Sequence, residues 1–192
     1  MRITNTKVYG LVESVCAAGY PVGKSDYSES RAKRLGSVPA GSGHDCFLKG
    51  VVVQADITAP QYWWLQWQRY HFHDIISSES KMYGILKMNI DVQCNEYVDA
   101  PVKEHLKSLL AAWNNIDIYL DGKDKKDLFQ RIIANTPMGL MLKARITTNY
   151  LQLKTIWHQR KNHKLQEWQV FCVWIEGLPK FKEIVLQKGV LK

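Results

Sequence analysis

The chain has 192 residues, a mass of 22.2 kDa and a formal net charge of +8, with 46% hydrophobic and 23% charged residues. That length suits one domain, 1–192, with a substantial core, and the composition argues against disorder. The apolar runs are too short to span a bilayer and MRITNTKVYG has no signal-peptide core, so a soluble cytoplasmic protein with no membrane partner is expected.

In chain order, Lys7 to Ala18 predicts a helix closed by Gly19 and Pro21. Residues 20–43 are rich in Gly, Ser and Pro and carry RAKR at 31–34, which predicts loop with one short helix. From Phe47 to Ile57 the sequence alternates, with Val51, Val53, Ala55 and Ile57 on one face, a strand pattern interrupted by Gly50. Thr58, Ala59 and Pro60 read as a helix entry. The helix that follows puts Trp63, Trp67 and Tyr70 on one stripe, with Trp64 and His71 beside it, and its inward aromatics read as core. A short extended piece then ends in the polar cluster Ser77 to Lys81.

Asp99 is placed to cap a helix from Pro101 to Trp113, with Val102, Leu106, Leu109, Leu110 and Trp113 on its apolar face. DGKDKKD at 121–127 reads as a charged turn into a helix through Arg131, Ile132 and Ile133, stopping near Pro137. Thr147 or Thr148 is the expected cap of the next helix, which carries Asn149, Leu153, Ile156, Trp157 and Arg160 and ends near Asn162. A last helix holds Leu165, Trp168, Cys172 and Ile175 and is ended by Gly177 and Pro179. The class is α+β: a mostly helical domain with a small mixed or antiparallel sheet, expected near the N-terminal half.

The four cysteines, Cys16, Cys46, Cys94 and Cys172, lie far apart without a CxxC pair, which argues for a reduced compartment and structural thiols. The positive charge favours polyanionic partners, and its dispersal along the chain fits phosphate-bearing small molecules at least as well as nucleic acid. Between Trp63 and Tyr83, groups that hold phosphate (Arg69, Ser78, Ser80, Lys81) sit within a few positions of groups that stack on flat rings (Trp67, Tyr70, His71). A nucleotide or dinucleotide requires that pairing, although an aromatic core helix with a polar loop would look similar. His71 and His73 share one face of an extended segment, but no third ligand has a recognisable spacing, so no metal is expected.

Four blocks, in order, resemble the flavin-dependent thymidylate synthase family in a divergent form. Gly43-His44 resembles its GH-x-S/T element. Gln66-Trp67-Gln68-Arg69 stands at the spacing from His44 that the family uses before its RHR-x-x-S-x-N-E-x-S-x-R-Y signature. Arg131-Ile132-Ile133 is similar to its RI-V-L-P block. Asn149, Arg160, His163 and Trp168 resemble its N-x-R ending. There are departures: the signature reads Arg69-Tyr70-His71, is one residue longer and has Ser77-Ser78 for Asn-Glu, and Met82 stands for an arginine. Leu151 replaces another arginine, and Thr155 stands where Asn or His is common. His71, His73, Lys81, Lys154 and Lys161 are the cations near enough in sequence to compensate.

The resemblance implies transfer of a one-carbon unit from methylenetetrahydrofolate to C5 of dUMP, with FAD as cofactor and NADPH as reductant, in a homotetramer with shared sites. It places Gln66, Arg69, Ser78, Glu79, Ser80, Arg131 and Arg160 on the pyrimidine nucleotide, Ser80 and Arg160 among them at the reacting centre. It places His44, Cys46, Arg69, Tyr70, His71, Asn149 and Thr155 on the cofactor. The altered signature leaves two alternatives: a hydroxymethylase or dCMP-directed relative, or an inactive nucleotide- or nucleic-acid-binding protein on the same fold. A nucleic-acid partner is the less expected of these.

Overall fold

The computed structural model describes residues 1–115 and 122–186. The chain opens with strand β1 (Arg2–Tyr9), helix α1 (Leu11–Ala17), a 3-10 turn and helix α2 (Glu29–Gly36). After a second 3-10 turn come β2 (Val52–Pro60), α3 (Gln61–Trp67), β3 (His73–Ser78), the short helices α4 (Lys81–Gly84) and α5 (Ile90–Gln93), and α6 (Ala100–Asn114). Then follow α7 (Gly122–Ala134), β4 (Met141–Asn149), α8 (Tyr150–Arg160), α9 (Gln166–Glu176) and a π turn at Lys182–Leu186.

The sheet has four strands in the order β1-β2-β4-β3. All its pairings are antiparallel, as the registers require. Tyr150 N donates to Val51 O and Gln61 N to Leu140 O, a constant residue sum for β2 and β4. Glu79 N donates to Lys143 O while Thr148 Oγ1 donates to Phe72 O, which runs β3 against β4 in the same sense. Asn5 Nδ2 reaches Asp56 Oδ2 across β1 and β2. The class is therefore α+β, as the sequence indicates, but β4 lies in the C-terminal half and β1 occupies Arg2–Tyr9, overlapping the start of the helix expected from Lys7.

The chain divides into two compact units. The first holds residues 1–57, 68–77 and 145–192. Its core takes the predicted alternating face: Val53, Ala55 and Ile57 of β2 and Val51 just before it are fully buried, although the start expected at Phe47 lies in the 3-10 turn Cys46–Gly50 instead. Ile146 of β4, Leu153 and Ile156 of α8, and Trp168, Phe171 and Ile175 of α9 are buried as well. Helix α1 starts only after Gly10, whose positive φ turns the chain out of β1.

The cap of α8 is Asn149, whose Oδ1 accepts from Gln152 N at 2.9 Å. Thr147 and Thr148, the expected caps, instead lie within β4. The side chain of Asn is short enough to accept from the third residue on, which is what the first turn lacks. Helix α9 ends on Gly177 as expected, and α8 ends at Arg160, slightly before Asn162.

The second unit holds residues 58–67 and 78–144. Pro60 closes β2 rather than opening α3. Trp63 and Trp67 are fully buried and stack at 5.3 Å with an interplanar angle of 19°, so these two are core, as their spacing suggests, but α3 ends at Trp67 and the expected stripe members Tyr70 and His71 lie beyond the helix. Leu106, Leu109 and Leu110 of α6 pack with Ile85, Ile90, Cys94, Ile132 and Leu140. Asp99 caps α6 by position without a side-chain bond. The charged stretch read as a turn is the opening of α7 from residue 122 onward, while Asp121 lies outside the described residues. Asp124 in the first turn, and Lys123 and Asp127 as an opposite-charge pair four residues apart, suit a helix there. Among the described residues, no helix is long and apolar enough to cross a membrane.

Candidate functional site

In the first unit, three residues from separate parts of the sequence meet around one guanidinium. Arg160, on the last turn of α8, donates from Nε to the Tyr70 hydroxyl at 2.8 Å, and that hydroxyl lies 3.1 Å from Gln159 Oε1. The Arg160 guanidinium sits 4.8 Å from the centre of the Trp168 ring and 5.7 Å from that of Tyr70. Tyr70 and Trp168 meet edge to face at 5.9 Å. Stacking and the Nε bond fix the guanidinium plane, and its terminal nitrogens, Nη1 and Nη2, have no protein partner among the described residues. A half-buried arginine held on one edge and free on the other can grip a phosphate or carboxylate with two parallel bonds.

His163 closes the aromatic side of this cluster, 6.3 Å from Trp168. Partial burial, with Arg160 and Lys164 nearby, holds its imidazole below the usual value. Its Nδ1 accepts from Leu165 N, which agrees with a neutral ring. Beneath the cluster, burial pushes the Cys172 thiol up to about 11, so it is an inert packing group.

Two further hollows of the same unit gather most of the cofactor-side residues. One, of about 400 Å³, is lined by Cys46 and Thr155 together with Gly41, Gly43, Lys49 and Phe72. Thr155 Oγ1 bonds back to Leu151 O, and the exposed His44 stands between Gly43 and Asp45 in the same segment. The other, of about 340 Å³, is lined by His71, Phe72, His73, Thr148 and Asn149. Phe72, 62% exposed, lines both, so a single aromatic side chain is their common wall. Arg69 is an exposed turn residue that lines neither.

The remaining nucleotide-side residues belong to the second unit. Gln66 is half-buried on α3, Ser78 ends β3 and Ser80 precedes α4 without capping it by its side chain. The Glu79 carboxylate accepts from Lys143 N at 2.8 Å, while Glu79 N donates to Lys143 O, so this glutamate extends the β3–β4 ladder. Arg131 is exposed in the last turn of α7. Of the cations suited by sequence to compensate, Lys81 donates to Gln61 Oε1 and Lys161 lies over the Trp157 ring. Lys154 is wholly buried and ion-paired, so it is no ligand contact. Among the described residues, no group of three or more His, Cys, Asp or Glu is placed to hold a metal.

Phe72, Lys49 and Gln159 escaped the sequence reading. A Phe between two histidines is the available signal for the first; Gln159 and Lys49 have none beyond their neighbours.

No protein-family model matches the chain, and no curated protein matches it by sequence. Solved structures do match in fold, and the class they define is the flavin-dependent thymidylate synthase. One is flavin-dependent thymidylate synthase ThyX from Helicobacter pylori complexed with FAD and dUMP. It has a TM-score of 0.72 and 16% identity, over 95% of this chain and 96% of that one. Another structure of ThyX from Helicobacter pylori with FAD and dUMP has a TM-score of 0.74 and 14% identity over the full length of both chains. This chain thus has the fold of a flavin-dependent thymidylate synthase, with a sequence far removed from these two.

Proposed function

We propose that the chain is a cytoplasmic flavin-dependent thymidylate synthase-type enzyme. It transfers a one-carbon unit from methylenetetrahydrofolate to C5 of dUMP, with FAD as cofactor and NADPH as reductant. The observation that carries this reading is the Arg160 guanidinium, clamped by Tyr70 and Trp168 with its outer edge free, in a chain with this fold. The residues present fit a flavin dinucleotide: a pyrophosphate needs a fixed cation with spare N–H groups, and a flat ring needs an exposed aromatic wall such as Phe72.

In this reading Arg160 neutralises phosphate and holds it in place, with Arg69 adding charge and His71 a ring N–H from the turn before β3. Cys46, His44, Thr155 and Asn149 contact the cofactor through short polar groups, and Tyr70 keeps Arg160 in register. Gln66, Ser78, Glu79, Ser80 and Arg131 orient the pyrimidine nucleotide, Ser80 closest to the reacting base. When bound, FAD supplies the hydride and one-carbon chemistry that no side chain offers. The protein contributes orientation and charge neutralisation. The chain acts as one functional domain whose sites are completed between subunits of a homotetramer.

The test is the visible absorption of the purified protein before and after incubation with FAD. It is followed by product analysis with methylenetetrahydrofolate, NADPH and either dUMP or dCMP. Flavin uptake and dTMP formation are expected. Absence of flavin uptake together with inertness toward dUMP would overturn the reading. Turnover of dCMP, or a hydroxymethyl product, would move it to the neighbouring reaction. A second reading, nucleotide binding without catalysis, is favoured by the engagement of the Glu79 carboxylate with Lys143 N. It requires dUMP binding with no product under the same assay.

A further inference from the structure

Lys154 lies on α8 with no exposed surface. Its ammonium has three N–H donors and meets three acceptors: Gly36 O at 2.9 Å, Val38 O at 2.5 Å and Asp45 Oδ2 at 2.6 Å. Asp45 is itself buried, 2% exposed. A charge pair removed from water in this way is tolerated only when every donor is matched, and here each is. All three acceptors belong to one stretch of chain, which leaves α2 at Gly36 and enters the 3-10 turn at Cys46.

In its middle the stretch carries a local backbone bond, Ser42 N to Pro39 O at 3.2 Å. Gly41 and Gly43 have φ of 87° and 80°, and no atom lies within 4 Å of where a side chain would start on either. Yet Gly41, Gly43, Asp45 and Cys46 form one side of the hollow of about 400 Å³, and Leu151, Gln152 and Thr155 of α8 form part of the other. The helix that supplies one wall therefore also carries the ammonium that ties down the opposite wall.

We infer that Lys154 is a positioning residue: through Gly36, Val38 and Asp45 it holds the 36–46 segment against α8 and so sets the shape of the hollow containing Cys46 and Thr155. As to the ligand, this rests on the FAD reading above. A neutral residue at this position could not replace the three-point attachment, because no uncharged side chain donates three hydrogen bonds from one atom.

The test uses the full chain. Lys154→Met with Asp45→Leu removes both charges, so no unpaired ion is left in the interior. The expected result is a folded protein whose FAD dissociation constant rises about tenfold and whose amide hydrogen exchange over 36–48 also rises about tenfold, with the rest of the chain unchanged. Unchanged FAD affinity in that folded variant overturns the inference, whatever the exchange shows. Where the double variant does not fold, Asp45→Asn takes its place. Faster exchange confined to 36–48 then supports the attachment, and exchange unchanged there or raised evenly along the chain overturns it. A wild-type protein that takes up no FAD defeats the functional reading, while exchange in the two variants still decides whether Lys154 holds the segment.

Discussion

Arg160→Ala is the most informative single change at the site. The substitution removes the Nε bond to Tyr70 at 2.8 Å, the stacking on Trp168 and the two unmatched terminal nitrogens. The loss in the free protein is small: one hydrogen bond of about 1 kcal/mol and a partly exposed cation–π contact of about 0.5–1 kcal/mol. For a 192-residue chain, about 1–2 kcal/mol corresponds to a fall in melting temperature of roughly 2–8 °C. The loss in binding is larger, because hydrogen bonds to a charged group contribute about 1.5–3 kcal/mol each. Losing one or two of them should raise the dissociation constant for FAD or dUMP roughly 10- to 10,000-fold. Tyr70→Phe keeps the ring and the charge but frees Nε, so it should weaken binding only about fivefold. Flavin fluorescence titration, calorimetry with dUMP and a thermal melt measure all three quantities. A folded Arg160→Ala protein that binds both ligands within twofold of wild type refutes the assignment of this arginine.

Other substitutions probe what holds the site in place. Lys154→Met alone strands the buried Asp45 carboxylate and should cost about 3–5 kcal/mol in urea unfolding, whereas adding Asp45→Leu should recover most of it; equal losses in single and double variants would contradict the pairing. Asn149→Ala deletes the cap of α8 and should cost about 1 kcal/mol, with Asn149→Ser restoring most of it; an unchanged urea midpoint would show that the Gln152 N bond contributes nothing. The pH dependence has a definite sign. The Trp157 N–H, aided by Lys182, holds the Glu176 carboxyl below 4.5, and partial burial holds His163 below 6.5. Both groups bind fewer protons folded than unfolded, so their stabilisation is complete above those values and is lost as pH falls through the folded ones. Urea midpoints measured from about pH 8 down to about pH 4 should therefore decline on the acid side, and His163→Asn should flatten the part nearest neutrality; a rising midpoint would contradict the shifts.

What the sequence reveals depends on whether an element carries its own periodicity. Strand β2 buries every second residue, and the apolar faces of α6 and α9 repeat at helical spacing, so each was readable. Strand β1 buries no residue at all; its extended form comes from pairing with β2, a long-range cause without a local signature. Strand β4 alternates, with Ala144, Ile146 and Thr148 inward, but a small and a polar residue give a weak signal, and the threonines resembled helix caps. The same limit applies to the site. Arg160 and Trp168 were legible as members of a spaced motif, but that Tyr70 joins them depends on a contact spanning 90 residues. Lys154 looked like a spare cation on α8; only Asp45, 109 residues away, shows it to be an internal fastener.

Tyr70 bears most directly on whether so few cations can serve an anionic ligand. In the signature it resembles, a histidine stands between two arginines, and substituting tyrosine there subtracts a charge that could titrate. The hydroxyl instead supplies an acceptor to Arg160 Nε, while the rings of Tyr70 and Trp168 lie against the guanidinium. A flexible surface arginine loses up to about 2 kcal/mol of rotamer entropy when it closes on a phosphate. An arginine already fixed by one bond and two rings has met that cost on folding, so more of its interaction energy remains for the ligand. Fewer charges, each held in place beforehand, also make binding depend less on long-range attraction and therefore less on salt. On this argument the sparse basic set is compatible with tight binding of a small phosphate ester but not of a long polyanion, whose affinity grows with the number of phosphates neutralised.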